Sequence, residues 1–391
     1  MGREIREAVE KYRDYVVSLR RHFHSQPELS TKEFKTQEKI MDELSKLGLE
    51  ARKAASTGVV AEIEGGLPGK TIAIRADMDG LPIQDECGQP YQSQNPGVCH
   101  ACGHDGHVAM LLGVANIIRA MRAELPGKVR LLFQPSEEFF PGGASPLIKA
   151  GVLEGVDAII GAHLWQPIPA GRLGISYGCL MAQPGGFAIT VKGRGGHGSM
   201  PHKAVDPIWV GTQIVQSIDA ISGNNIDPLE SEVVLVTIFK AGQIRNVIPD
   251  TAYIEGTIRV FETATLTRIH ERIEQITKGI CAAHGAEYTF TGTSSYPPVI
   301  NNPAITACIR DAGIAALGED AVFETKVLAS EDFSYYQQLV PGALMFIGAG
   351  NDDRAIYSHH HPKFDIDEQA LVHGVEIMVR TVQNYLAQPK R

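Results

Sequence analysis

Between Val98 and Met110 the chain reads V-C-H-A-C-G-H-D-G-H-V-A-M. Two cysteines, three histidines and an aspartate fall within these thirteen residues. Thiolate and imidazole are the donors that borderline-soft divalent ions prefer, and Gly103 and Gly106 let the backbone bend around an ion. Two blander readings compete. Cys99 and Cys102 form a C-x-x-C, which also serves redox pairs and halves of structural zinc sites. A structural site needs a second C-x-x-C or an H-x-x-x-H at short range downstream, and none follows. A redox pair has no use for three neighbouring histidines. The stretch is best read as the main part of a catalytic metal site, and by itself it does not name a reaction.

Other segments carry matching chemistry. Q-P-S-E-E (Gln134 to Glu138) closes an apolar run with two adjacent carboxylates, Glu137 and Glu138. On a surface loop they would only be solvated. After a buried strand, in a chain with a Cys/His cluster, they suit one metal ligand and one general base. Asp77 and Asp79 in R-A-D-M-D-G-L-P-I and His163 in A-H-L-W stand at strand ends in the same succession. His197 sits among glycines in K-G-R-G-G-H-G-S-M-P-H, a loop from which a side chain can reach outward. Asn246 lies in R-N-V-I-P and Arg259 in G-T-I-R-V-F, where a surface ion pair is a serious competing role for the arginine. Tyr357 to Phe364 holds three consecutive histidines ahead of Pro362.

The elements that must position these residues follow from periodicity. Helical spacing covers Glu4 to Phe23, Thr31 to Leu47 with Thr31 as a candidate cap, and Val108 to Met121. Val59 to Glu64 and Thr71 to Ala76 read as strands joined through G-G-L-P-G like a hairpin. Lys128 to Phe133 and Asp157 to His163 are further strands. From about Gly185 the order becomes β-α-β-β-α-β, the split βαβ or ferredoxin-like unit. Its elements are Phe187 to Val191, Pro207 to Ile221, Glu232 to Lys240, Ala252 to Val260, Leu266 to His284 and Glu287 to Thr291. Helices at Pro303 to Leu317 and Glu368 to Leu386 and a strand at Leu344 to Gly348 resume the α/β pattern. The expected division is a catalytic metal-binding domain over 1–184 and 296–391, with an insert over 185–295.

At 391 residues two domains are expected. With 43% hydrophobic and 21% charged residues the composition is that of an ordinary globular protein. A net charge of −9 without a basic run gives nucleic-acid binding little support. No apolar run approaches the roughly 18 residues of a membrane span, and the charged N-terminus lacks a signal-peptide core. Six scattered cysteines are not a disulfide framework, so a reducing cytoplasm is expected.

The segments R-R-H-F-H-S-Q-P-E-L-S, R-A-D-M-D-G-L-P-I, C-H-A-C-G-H-D-G-H-V-A-M, Q-P-S-E-E, A-H-L-W, G-G-H-G-S-M-P-H, R-N-V-I-P, G-T-I-R-V-F and H-H-P-K-F-D-I-D-E span nearly the whole chain. In this order they resemble the M20 metallopeptidase and amidohydrolase family, in its branch of N-acyl-amino-acid amidohydrolases, hippurate hydrolases and auxin-conjugate hydrolases. The resemblance implies an α/β zinc-peptidase-like catalytic domain with a mixed sheet and an inserted α+β ferredoxin-like lid and dimerisation domain. It implies two divalent ions per subunit (zinc, manganese, cobalt or nickel) held by Cys102, His104, Glu138, His163 and His360, with Cys102 bridging. His360 is taken over its neighbours because the family's ligand stands two residues before the proline. Glu137 would be the general base, moving a proton from the attacking water to the leaving amine. His197 would donate to the oxyanion from the partner subunit, which implies a homodimer or homotetramer. Arg259 and Asn246 would hold the substrate's α-carboxylate. Cys99 departs from the branch, which usually shows methionine there, and is expected to pack as a small hydrophobe. Within the family a dipeptidase, a carboxypeptidase or an N-acetyl-diaminopimelate deacetylase is the alternative. Outside it, a non-catalytic metal-binding or thiol-redox protein is the rival, and Glu137 beside Glu138 argues against that one.

Overall fold

The computed structural model describes residues 2–227, 229–353 and 355–388. Its contacts divide the chain into two units, Met1–Leu180 with Ile300–Lys326 and Asp332–Arg391, and Met181–Val299 with Val327–Glu331.

The first unit is built on an eight-stranded mixed sheet. Its strands run Ala51–Ala54, Gly58–Glu64, Pro126–Gln134, Leu67–Asp77, Ala158–Pro169, Gly342–Gly350, Leu173–Ile175 and Val322–Glu324 across the sheet. The central ladders are parallel: Leu67–Asp77 pairs with both Pro126–Gln134 and Ala158–Pro169, and the latter pairs with Gly342–Gly350. Strands buried on both faces read as unbroken apolar runs, as A-L-M-F-I does here. The helix His104–Ala120 is buried through almost its whole length, because V-A-M-L-L-G-V-A-N-I-I offers an apolar surface all round. It packs on the helices Arg13–Ser25 and Gln369–Leu386. A Cβ at Gly106 would stand 2.4 Å from Leu164 Cδ1, so a larger residue there would require that buried side chain to shift.

The second unit is a four-stranded antiparallel sheet with Glu232–Ala241, Thr251–Val260, Gln183–Lys192 and Glu287–Ser294 in that order. The helices Pro207–Asp219 and Thr263–His284 cover it through Ile214, Ile218, Ile269 and Ile273. With strands in the order second, third, first, fourth, this is the ferredoxin-like arrangement. The fold class is therefore the α/β architecture with a mixed sheet and an α+β unit expected from the sequence.

Four local expectations need correction. The first helix is two, Gly2–Lys11 and Arg13–Ser25, parted at Tyr12. Thr31 is not a cap: the second predicted helix begins at Phe34, and the Glu28 carboxylate accepts the Thr36 N–H at 2.9 Å in place of a Thr31 hydroxyl. The runs around G-G-L-P-G form no hairpin. The strand Pro126–Gln134 lies between them, and its backbone groups are paired on both edges, antiparallel with Gly58–Glu64 and parallel with Leu67–Asp77. His163 is internal to its strand, which continues to Pro169 because Gly342–Gly350 pairs with it that far.

Candidate metal centre

The carboxyl ends of parallel strands are where ligands bind in open α/β sheets. Three such strands meet here: one ends at Asp77, one at Gln134 just before P-S-E-E, and one carries His163 opposite Phe346. The helix His104–Ala120 starts beside them. Gly103, at φ 90°, makes the turn that puts Cys102 and His104 on either side of the helix start.

The donors form overlapping groups. Those of Cys102, His104 and His163 lie within 4.8 Å of one another, and so do those of Cys102, Glu138 and His360 and those of His104, Glu137 and Glu138. Cys102 Sγ is 3.6 Å from His163 Nε2, and His360 Nε2 is 3.2 Å from Glu138 Oε1. The thiol thus belongs to two groups, with Glu137 next to them. The structure brings together all five candidate ligands and the candidate base.

His104 and His163 are fixed by their other ring nitrogen, the arrangement metal-binding histidines need, and His360 is held through its backbone. His104 Nδ1 donates to Asp79, 3.0 Å from its carbonyl oxygen and 3.2 Å from Oδ1. His163 Nδ1 donates to the Leu164 carbonyl at 2.9 Å. His360 takes a left-handed conformation (φ 65°), held by its N–H donating to Ala101 O at 2.8 Å. Its neighbours are engaged elsewhere. His359 donates from Nε2 to Leu164 O at 3.0 Å and packs on Trp165, while His361 stacks on Tyr357. His107 is also occupied at both nitrogens, by Asp77 and by the Leu164 N–H.

The residues fit a divalent cation. His104 Nε2 and Glu138 Oε1 are buried, stand 3.9 Å apart, and have no hydrogen-bond partner among the described residues. Leaving such atoms unsatisfied is costly, and a shared cation satisfies both. The electrostatics agree. Burial opposes a charge on His104, yet Asp77, Asp79 and Glu138 push it up to about 10, so the spot favours positive charge. Burial, then Glu138 and Glu137, push the Cys102 thiol well above its ordinary value, so it becomes a thiolate only against a cation. Burial and the neighbouring imidazoles His107 and His359 hold His163 well below its ordinary value, hence neutral and able to ligate.

Asp77 and Asp79 stand behind the histidines. Asp79 accepts the N–H groups of Glu137 and Glu138 at 3.0 and 3.1 Å and the Ser30 hydroxyl at 2.6 Å, while also orienting His104. Two further groups had no role in the sequence reading. Glu33 accepts from Thr31 N at 3.0 Å and Ser136 N at 2.9 Å, clamping two residues with left-handed backbones (φ 68° and 61°). Arg20, fully buried, donates to Asp105 at 2.9 Å and Asp365 at 2.7 Å, and His24 pairs with the same Asp105 at 2.8 Å. An arginine and a histidine spaced i, i+4 on a buried helix face were the available signal for this second network.

His197, Asn246 and Arg259 belong to the second unit. His197 is exposed, and its residue pairs with Val247, next to Asn246, in a short ribbon. Its Nδ1 accepts from Ser199 N at 3.1 Å, which leaves Nε2 to carry the proton of the neutral ring. Arg259 donates to Thr257 Oγ1 and the Ile258 carbonyl. No carboxylate among the described residues pairs with it, so the ion-pair role weighed for it is not seen.

The model of peptidase family M20/M25/M40 matches residues 73–384. The chain belongs to this family. The M20 chain is 47% identical to the N-acyl-L-amino acid amidohydrolase of Geobacillus stearothermophilus, over 76% of its own length and 81% of that protein's. It is 40% identical to thermostable carboxypeptidase 2 of Saccharolobus solfataricus, over 95% of each. Among solved structures it matches the Bacillus subtilis YXEP protein, described as a dinuclear metal-binding peptidase of family M20. That match has a TM-score of 0.85 and 35% identity, covering 96% of this chain and 99% of the other.

Proposed function

We propose that the protein is a metal-dependent amidohydrolase that cleaves the amide bond of N-acyl amino acids, releasing the acyl group as its acid and the free amino acid. The observation that carries this reading is the Cys102 thiol shared between two donor groups beside Glu137. In it, Cys102, His104, Glu138, His163 and His360 hold two divalent ions (zinc, manganese, cobalt or nickel). When bound, the ions supply an acidified water and polarise the amide carbonyl. Glu137 takes the proton of the attacking water and returns it to the leaving amine. Nε2 of His197 donates to the developing oxyanion, and the Arg259 guanidinium with Asn246 receives the α-carboxylate.

The second unit serves as lid and dimer contact in this reading. Its edge strand Glu232–Ala241 presents Leu235 (51% exposed), and the helix Pro207–Asp219 presents Trp209 (60% exposed). An open edge with exposed apolar side chains invites a second copy, giving a homodimer or, by further pairing, a tetramer. The six cysteines are free, which supports a reducing cytoplasm. Among the described residues no helix is long and apolar enough to cross a membrane.

The likeness to a carboxypeptidase keeps peptide substrates as a second reading. One experiment tests both: exhaustive chelation, metal analysis and reconstitution, with assay on N-acetyl, N-benzoyl and indole-acyl amino acids and on dipeptides. Metal-dependent turnover of the N-acyl amino acids above the dipeptides is expected. Undiminished activity in metal-free protein would refute the metal-dependent reading.

A further inference from the structure

A cavity of about 380 Å³ opens beside Glu138 within the first unit. Leu29, Gly80, Leu81, Pro82 and Phe139 supply its apolar lining. We propose that this cavity receives the acyl half of the substrate, and that the group it suits is apolar and larger than acetyl: an aryl ring or a medium alkyl chain. The proposal rests on the amidohydrolase reading above and adds which half of the substrate lies where.

Three observations support it. The cavity adjoins the site directly, because Glu138 is both a lining residue and a member of the donor groups. An acyl carbon chain starts at the reacting carbonyl, so its pocket must begin at the metal centre.

The apolar lining selects between the two halves. The amino-acid half carries a carboxylate, whose removal from water against Leu29, Leu81, Pro82 and Phe139 is costly without a buried cation to pair with it. Among the lining residues the one cation is Lys32, an exposed side chain. An uncharged acyl group carries no such cost, and its transfer from water to apolar walls is favourable.

The walls are also built in advance. Leu29 bridges to Gly80, whose N–H donates to the Glu28 carbonyl at 2.7 Å. Ser30 donates to Asp79, the carboxylate that also holds the N–H groups of Glu137 and Glu138. Glu33 holds Thr31 on this wall and Ser136 before the carboxylate pair. The pocket wall and the two glutamates therefore hang on the same two side chains, Asp79 and Glu33. A group seated against Leu29 and Leu81 is fixed relative to Glu137, which is how remote binding is converted into orientation at the reacting carbon. A volume of this size lies at the lower end of the range for small-molecule sites and leaves an acetyl group poorly packed.

The test is kcat/KM of the metal-loaded protein on N-acetyl, N-butanoyl, N-hexanoyl and N-benzoyl derivatives of one amino acid. A second series holds the acyl group fixed and varies the amino acid. Values should rise about three- to fourfold per added methylene up to hexanoyl. Leu81→Trp should lower the hexanoyl-to-acetyl ratio by about tenfold or more while leaving the ratios between amino acids in place. Phe139→Ala removes a wall that is 66% exposed, so folding is not at stake, and should lower the same ratio by about threefold. A flat acyl series overturns the proposal, as do variants that shift the amino-acid ratios instead. If no N-acyl amino acid is turned over at all, the amidohydrolase reading falls and this proposal falls with it.

Discussion

The N–H groups of Glu137 and Glu138 both point at Asp79, so one carboxylate fixes the turn from which both side chains leave. Glu138 then reaches His360 and His104, while Glu137 shares one donor group with His104 and Glu138. Different consequences follow for the two isosteric changes. Glu137→Gln keeps metal content and loses turnover by about 10²–10⁴-fold, the range for removing general acid–base catalysis alone. Glu138→Gln loses metal as well, read by metal analysis after gel filtration. Metal loss in Glu137→Gln with retention in Glu138→Gln would show the two roles reversed. Cys102→Ser replaces a donor shared by two groups with a neutral hydroxyl. Its metal affinity should fall by more than the roughly 10–100-fold that follows loss of a group that only orients a ligand, and Asp79→Asn provides that comparison.

At the scale of elements, the buried Arg20–Asp105–His24 network joins the helix Arg13–Ser25 to the start of the helix that carries His104. Burial opposes a proton on His24, and so does Arg20, but Asp105 and Asp85 push it up to about 10 from 6.5. A raised histidine adds stability that is complete below about 6.5 and fades as pH climbs toward 10. Asp85 works at the other end: against its burial, His24 and two backbone N–H groups hold it down to about 2, so its contribution is lost only as pH falls from 3.8 toward 2. His24→Gln should therefore cost about 3 kcal/mol near pH 6, as expected for breaking a buried pair, and less as pH approaches 10. Urea unfolding of both proteins across this range measures the difference; a cost independent of pH would rule out a charged His24. The network also shows what could be read from the chain. The strands and helices were legible because apolar runs and helical spacing are local, and the helix Pro303–Leu317 begins and ends as its pattern indicates. The donor stretch was legible because rare residue types cluster in it. What escaped depended on partners distant in sequence: Glu33 with Ser136, Arg20 with Asp365, and the strand Pro126–Gln134 entering between two runs that looked like a hairpin. Thr31 had the right residue type for a cap, but Glu28 took that task and Glu33 holds Thr31 in a left-handed turn.

For the whole molecule, the question is how a unit carrying none of the five candidate ligands takes part in the reaction. His197 is exposed, its loop is flanked by glycines, and Ser199 occupies its Nδ1, so Nε2 is the nitrogen that can donate. We infer that it acts on the site of the partner subunit, the arrangement that the family resemblance implies. His197→Ala should lower kcat by about 10²–10³, the usual effect of one lost oxyanion donor, with metal content unchanged. The arrangement across subunits has its own test. A His197→Ala subunit keeps its metal centre and Glu137, while a Glu137→Gln subunit keeps its histidine. When two such inactive preparations exchange subunits, each heterodimer contains one centre with an intact Glu137 facing an intact His197, and one doubly defective centre. For equal mixing, half the dimers are hetero, so about a quarter of all centres, and of wild-type activity, should return. Activity that stays at the level of the parents after exchange has been demonstrated by mass-tagged subunits would mean that His197 serves its own chain or none.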